Sequence, residues 1–430
     1  MQTPITLFEH AHTLYNWSDA ELTALEGLNR ANHAEILLAT IHNGQKVVRA
    51  SEFVGMIQLR RNFIQVLPKI YAADITDPAS QALHATRNLL YLLSVAGKFP
   101  IKEQQIASLI SKNQNWIEIL THLFATHLLQ EWQRGASRNY RLQDDDLPVL
   151  KGKWRFNDQL RHPERIQTFP VSYDEFTDDI NLNRLLRFVV ELLWTITRDN
   201  NNRRLLGILR QWMGEVSLVN KFTVTEAERI QLNRLNHRYE PLLNMARIFL
   251  QGLAYVSSVG KQQAYSFVFD MNALYETFII NFIRKNRNVL PARFLDCEFL
   301  PQTRGATLHL ARQNERSVFL LKPDLAFKRG DEYPLLLDLK YKRLKTELTS
   351  RGVSPADIYQ MYAYAQRYKC PEVLLLYPLT IDMQEPIHAR FEVISGNGTI
   401  RVETVDLRID LNSNPGRQNL INQLNKILEG

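Results

Sequence analysis

Two apolar runs in the C-terminal part of the chain end in charged side chains: VFLLKPD at residues 318–324 and LLLDLK at residues 335–340. Each run is long and apolar enough to predict a buried strand of a mixed sheet. Asp338 and Lys340 are two positions apart, so on a strand they project to the same face. If the two strands pair, Asp324, Asp338 and Lys340 converge at one point of the sheet.

The segments around these runs predict an α/β domain over residues 266–430, because strand-like and helix-like patterns alternate there. The central strand-like segments are nearly all apolar, as expected for strands covered on both faces. The predicted elements are helix 271–285, strands 293–299, 317–327 and 335–341, helix 355–368, strands 372–377, 389–394 and 399–405, and helix 416–428.

The rest of the chain predicts two further domains. With 430 residues, the chain exceeds the roughly 250–300 residues at which single hydrophobic cores stop growing. Short alternating runs predict a small β-rich domain over residues 1–75, and 3.6-residue spacing predicts a mainly helical domain over residues 76–265. Residues 134–170 lack a helical period and predict a basic extended arm within it. The expected fold class is therefore multidomain α+β.

Composition narrows the functional classes. Lys and Arg exceed Asp and Glu by 52 to 45, a net charge of +7 that favours a polyanionic partner. Cys297 and Cys370 are the only cysteines and do not form a C-x-x-C pair, which excludes a thiolate zinc site and a disulfide framework. The sequence shows neither a signal peptide nor an apolar run of ~18 residues, so we expect a cytoplasmic protein without a membrane partner.

The predicted cluster of two aspartates and a lysine suits metal-assisted phosphodiester cleavage. Mg²⁺ prefers hard oxygen ligands and accepts a few carboxylates beside waters and a phosphate oxygen. The Lys340 ammonium would then orient a water or neutralise charge in the transition state. An Asp-x-Lys triplet also arises about once by chance in a chain of this length. Taken alone, the triplet is more typical of a solvated strand end with a salt bridge.

The whole set of motifs is more specific. Pro323-Asp324, then Asp338-x-Lys340, then Gln360-x-x-x-Tyr364 resembles the PD-(D/E)xK nuclease superfamily, in the branch with a Q-x-x-x-Y motif on the following helix. This resemblance implies a metal-dependent endodeoxyribonuclease that uses Mg²⁺, with Mn²⁺ as a possible substitute. It also implies the site residues: catalytic Asp324, Asp338, Lys340, Gln360 and Tyr364, and metal ligands Asp324, Asp338 and, on the preceding helix, Glu276.

Nearly the full length also resembles the McrC family, the nuclease subunits of McrBC restriction systems that act on 5-methylcytosine DNA. This resemblance implies double-stranded DNA and a hexameric AAA+ GTPase of McrB type as partners, with the modified base read by that GTPase. The β-rich domain and the arm would engage it. No G-x-x-x-x-G-K-[ST] motif occurs, so we expect this chain to bind no nucleotide itself. The matching segments are residues 66–70, 87–93, 150–154, 173–184 and 270–276.

Other interpretations remain open at this point. The chain fits a stand-alone repair or recombination nuclease of the same superfamily, or a catalytically silent adaptor that binds DNA or a motor protein. Glu276 fits an exposed helix carboxylate equally well. The basic arm fits a solvated charged loop, and its aromatic side chains fit stacking on DNA bases.

Overall fold

The structure is a computed structural model that describes residues 5–59, 62–99, 116–162, 164, 166–253, 264–302, 307–342, 344, 352–381, 383, 385–394 and 398–430. Its first elements are β1 (Ile5–Phe8), β2 (His12–Leu14), α1 (Asp19–Ala31), β3 (Leu37–His42), β4 (Gln45–Ala50), β5 (Phe53–Leu59), β6 (Asn62–Leu67), α2 (Pro78–Val95), α3 (Trp116–Gln133), β7 (Asn139–Leu147), β8 (Lys153–Trp154), α4 (Phe156–Arg161), β9 (Phe169–Thr177), α5 (Asn181–Ile196), α6 (Asn200–Trp212), α7 (Val224–Glu228) and α8 (Glu240–Leu253). They are followed by β10 (Ala264–Asp270), α9 (Met271–Lys285), β11 (Glu298–Pro301), β12 (Leu308–Gln313), β13 (Arg316–Leu321), β14 (Leu325–Arg329), β15 (Glu332–Leu339), α10 (Pro355–Tyr368), β16 (Glu372–Leu379), β17 (His388–Glu392), β18 (Thr399–Asp406) and α11 (Asn414–Glu429).

Helices and several separate sheets together confirm the α+β class. No helix in the described residues is long and apolar enough to cross a membrane. The chain forms two compact units: Met1–Gln114 with Ser258–Gly430, and Asn115–Ser257. The division into three domains at residues 75 and 265 stays a prediction, although residue 265 lies inside β10, which pairs with β5 from Ala264 to Asp270.

In the first unit, the N-terminal strands form a four-stranded sheet in the order β1-β6-β5-β10 and a three-stranded sheet in the order β2-β4-β3. The short alternating runs of the sequence correspond to β3, β4, β5 and β6. Gly55 on β5 permits the approach of β10, because a Cβ there would lie 2.0 Å from the Phe267 carbonyl oxygen. The N-terminal strands are thereby joined to a strand that leads directly into α9.

The same unit contains a six-stranded mixed sheet in the order β11-β14-β15-β16-β18-β17. β15 and β16 run parallel, as do β16 and β18, and α10 connects β15 to β16. The central strands are almost wholly apolar because they are buried on both faces. On one face, α10 contributes Met361 and Tyr364 to a core shared with Leu336 and Leu375.

Two strand predictions near this sheet are wrong. The predicted strand 317–327 is divided at Pro323, which has no N–H to donate, into β13 of a separate hairpin and β14 of the main sheet. The predicted strand 293–299 begins instead as a 3₁₀ turn over Ala292–Phe294 after Pro291, and strand structure starts only at Glu298.

The second unit contains α3, α5, α6 and α8 beside a three-stranded sheet in the order β7-β9-β8. The segment predicted as a basic extended arm over residues 134–170 contains β7, β8, α4 and the start of β9. β7 and β9 form a β-hairpin and pair from Asn139–Thr177 to Leu147–Phe169. Most of its side chains are exposed on both faces, so no buried face imposes an alternating apolar pattern. Its tip region carries Asp144, Asp145 and Asp146 beside its basic residues.

Candidate active site

The pairing of β14 with β15 brings the two predicted aspartates together. Leu325 lies opposite Leu337 in this antiparallel pair, so Asp324, one residue earlier, lies across from Asp338, one residue later. The backbone N–H of Leu339 donates to Asp324 Oδ2 at 2.6 Å. Both aspartates are buried, with 4% and 1% of their surface exposed.

Lys340 lies at the same point, just beyond the end of β15. Its Nζ is 2.8 Å from Asp338 Oδ2, an ion pair whose lysine side chain is partly exposed. Its backbone N–H donates to the carbonyl oxygen of Leu376 at 3.1 Å, so the backbone is held against the neighbouring strand β16. The three residues predicted to converge are therefore adjacent in the structure.

Helix α10 contributes both residues of the Q-x-x-x-Y motif, Gln360 and Tyr364, to the site. It begins at Pro355 and is capped by Ser354, whose side chain accepts a hydrogen bond from the N–H of Ala356 at 3.2 Å. One turn apart on this helix, Gln360 Nε2 donates to the Tyr364 hydroxyl at 2.9 Å. The Tyr364 hydroxyl in turn lowers the pKa of the nearby Asp338 carboxylate. The two residues of the Q-x-x-x-Y motif thus form a hydrogen-bonded pair that acts on Asp338.

Glu276 lies on α9, which begins at Met271 and is capped by Asp270. Burial raises the pKa of Glu276, while Lys340 lowers this pKa and the Asp338 carboxylate raises it. The charges of Lys340 and Asp338 therefore act on the ionisation of Glu276. Among the described residues, however, no three Asp, Glu, His or Cys side chains gather closely enough to hold a metal ion by themselves.

Asp324 and Asp338 are both buried, so their charged forms are poorly solvated. Burial, together with the carboxylates of Asp338 and Glu276, raises the pKa of Asp324 to about 8. Burial also raises the pKa of Asp338, against the opposing effect of Lys340. For Lys340, burial disfavours the ammonium, but the carboxylates of Asp338, Asp324 and Asp357 together outweigh this and raise its pKa. Two carboxylates in this position need a further cation to be ionised together.

Sequence reasoning missed two residues beside the site. Asp357, in the first turn of α10, is 5% exposed and binds Lys342 Nζ at 2.9 Å and the Tyr377 hydroxyl at 3.0 Å. Gln302 Nε2 donates to Asp324 Oδ1 at 3.1 Å. A signal for Asp357 was present, because residues 357, 360 and 364 have the i, i+3, i+7 spacing of one helix face.

The candidate metal ligands, Asp324 and Asp338, offer carboxylate oxygens, which suit a hard divalent cation. Both candidate ligands are carboxylates, and Asp338 Oδ2 is buried with no hydrogen-bond donor in addition to its ionic contact with Lys340. Mg²⁺ usually takes one or two carboxylates, and waters and phosphate oxygens complete its octahedron. No thiolate or imidazole takes part in the cluster described above, which disfavours softer metals. The roles assigned to the site residues stay predictions.

The sequence matches one protein-family model, and the fold is similar to two solved structures. A family model described as "McrBC 5-methylcytosine restriction system component" matches residues 48–378. The fold is similar to that of a chain in a refined half-complex from a tetradecameric assembly of Thermococcus gammatolerans McrB AAA+ hexamers with bound McrC. The TM-score is 0.69 at 23% identity, covering 99% of this chain and 100% of that one. A second similar chain, from the cryo-EM structure of the Thermococcus gammatolerans McrBC complex, has a TM-score of 0.50 at 24% identity, covering 66% of this chain and 88% of that one. No curated protein matches the sequence.

Proposed function

The chain belongs to the McrBC family of 5-methylcytosine restriction system components, and on that basis we propose that it is the nuclease subunit of such a system. It is a Mg²⁺-dependent endonuclease that cleaves phosphodiester bonds of double-stranded DNA within a GTP-driven, modification-dependent complex. The observation that carries this proposal is the buried pair Asp324 and Asp338, with Lys340 Nζ 2.8 Å from Asp338 Oδ2. A merely solvated strand end would not bury two carboxylates side by side.

In this proposal Asp324 and Asp338 hold the ion. Bound Mg²⁺ supplies positive charge that polarises the scissile phosphate and lowers the pKa of an attacking water. Lys340, already held at Asp338, neutralises charge that develops on the phosphate oxygens and orients that water. Tyr364, with Gln360 behind it, fixes the orientation of the Asp338 carboxylate.

We further propose that the partner is a hexameric AAA+ GTPase of McrB type, which this chain stimulates. Two observations support this: the family match, and a fold shared over 99% of the chain with a protein from an assembly of McrB AAA+ hexamers with bound McrC. The sequence lacks a P-loop motif, so the partner binds the nucleotide. The GTPase partner also recognises the 5-methylcytosine. The N-terminal β-rich segment and the β7–β9 hairpin contact this partner.

The test combines the purified chain with an AAA+ GTPase of McrB type, GTP and a methylated plasmid. We expect linear DNA in Mg²⁺ or Mn²⁺ and intact plasmid in EDTA, because two carboxylates offer a hard-oxygen site and no soft ligand. Undiminished cutting in EDTA would contradict metal dependence. Cutting without the GTPase would favour the stand-alone nuclease, and GTPase stimulation without any cutting would favour the silent adaptor.

A further inference from the structure

The β12–β13 hairpin is a separate element that precedes Asp324 directly in the chain. Its strands pair from Leu308–Leu321 at the base to Gln313–Arg316 at the tip, outside the six-stranded sheet. The tip turn has left-handed φ values of 46° at Asn314 and 64° at Glu315, the conformation of tight two-residue hairpin turns. Six residues of strand extend the tip roughly 15–20 Å from the base.

The base of this hairpin is fixed to α10, the helix that also carries Gln360 and Tyr364. The Tyr368 hydroxyl accepts from the N–H of Leu308 at 3.1 Å and donates to the carbonyl oxygen of Leu321 at 2.9 Å, so it joins both strands. Arg367 Nε donates to the carbonyl oxygen of His309 at 2.8 Å. The hairpin is therefore held in a set position beside the candidate active site.

Beyond the base, the hairpin exposes large apolar side chains. Phe319 is 71% exposed, Leu320 53% and Leu310 51%. Phe319 and Leu310 lie opposite each other, between the pairs His309–Leu320 and Ala311–Val318. Phe319 also has a left-handed φ of 57°, a backbone conformation that is energetically costly for a bulky residue. An exposed aromatic side chain in a strained conformation gives the isolated chain no packing energy that would offset this cost.

The charge of the hairpin is basic. Residues 307–322 contain three basic side chains and one acidic side chain: Arg312, Arg316 and Lys322, and Glu315. Arg312, Arg316 and Lys322 form no ion pair with the described residues, so their charges are available to an anion. Basic side chains around exposed apolar ones are typical of surfaces that hold phosphates and contact bases or sugars.

We infer that this hairpin is a DNA-binding element of the nuclease domain. Its basic side chains contact the phosphate backbone, and Phe319 contacts the bases or sugars of the duplex being cut at Asp324 and Asp338. This inference rests on the proposed nuclease function. A second copy of the chain fits less well, because a stable protein interface needs about 800 Å² on each partner, whereas one Phe buries only about 150–250 Å². The basic side chains would also face each other in such a symmetric dimer.

The test measures binding of a fluorescent 30-base-pair duplex to the full chain by anisotropy in EDTA, so that nothing is cut. Phe319→Asn removes the ring but tolerates the left-handed backbone. We expect Phe319→Asn to weaken binding about tenfold, the scale of one lost aromatic contact with a base. Phe319→Trp keeps an aromatic ring and should bind as wild type does. Arg312→Gln should reduce the salt dependence by about one counterion. The matched control is Ile394→Ala, another exposed apolar side chain, which should bind as wild type does.

The outcomes separate the two proposals. If wild type cuts DNA with its partner but Phe319→Asn binds and cuts equally well, the hairpin inference is overturned and the nuclease stands. If wild type neither binds nor cuts DNA, the proposed function fails and the inference fails with it. Light scattering supplies the remaining outcome: a dimer that becomes a monomer in Phe319→Asn, with DNA binding unchanged, would show that the hairpin joins two copies.

Discussion

Asp324→Asn should make the metal-free protein more stable while it eliminates cutting. In an unfolded chain Asp324 titrates near 3.9, whereas burial and the carboxylates of Asp338 and Glu276 raise its folded pKa to about 8. Between these values the folded state keeps a proton that the unfolded state has lost. The wild-type free energy of unfolding therefore falls as pH rises, by about 1.4 kcal/mol per unit for this group. Asparagine does not titrate, and its carbonyl oxygen can still accept from the Leu339 N–H.

From pH 5.5 to pH 7.5 the advantage of the variant over wild type should grow by about 2–3 kcal/mol. The assay is urea unfolding followed by far-UV circular dichroism in EDTA at both pH values. Asp331→Asn, an exposed position in the turn between the same two strands, is the matched control and should show no such growth. A variant that is less stable than wild type at pH 7.5, or an advantage that does not change with pH, would refute the electrostatic account of the pair.

Three further predictions concern the wider molecule. Lys340→Ala should eliminate cutting but leave GTPase stimulation intact, because its charge acts on the phosphate; parallel loss of both activities would show that they are not separable. Tyr341→Phe should lower the free energy of unfolding by about 1.5–3 kcal/mol, since its buried hydroxyl donates to Glu9 Oε1 at 2.6 Å; a loss under about 0.5 kcal/mol in urea titrations would show that the bond is dispensable. The isolated chain should bind methylated and unmethylated duplexes equally in anisotropy titrations, and a preference above about tenfold would move base recognition into this subunit.

Much of the fold could be predicted where burial imposes a pattern. The apolar run at residues 335–339 predicts a central strand because water is excluded from both of its faces. The hairpin over residues 139–177 could not be predicted, because most of its side chains are exposed and no apolar period results. The division at Pro323 was a readable signal, but the apolar residues before it suggested a continuous strand; Phe319 and Leu320 are in fact exposed.

The candidate site was predictable in part for similar reasons. Asp338 and Lys340 are two apart on one strand, so local geometry alone puts them on the same face. Asp357 was overlooked because an aspartate in the first turn of a helix is common and already explained by the helix dipole. The contact between Glu9 and Tyr341 joins positions 332 residues apart. No local pattern predicts a pair so distant in sequence.

The assignment of the catalytic centre to the buried aspartate pair is the basis of the proposed nuclease function. Its most direct test is cleavage of a methylated plasmid by Asp338→Ala in the presence of the AAA+ GTPase, GTP and Mg²⁺, with Asp331→Ala as the matched acidic control from the adjoining turn. We predict that Asp338→Ala leaves the plasmid intact while Asp331→Ala cuts at the wild-type rate, both with wild-type circular dichroism spectra. Cleavage by Asp338→Ala at the wild-type rate would contradict the assignment of the site.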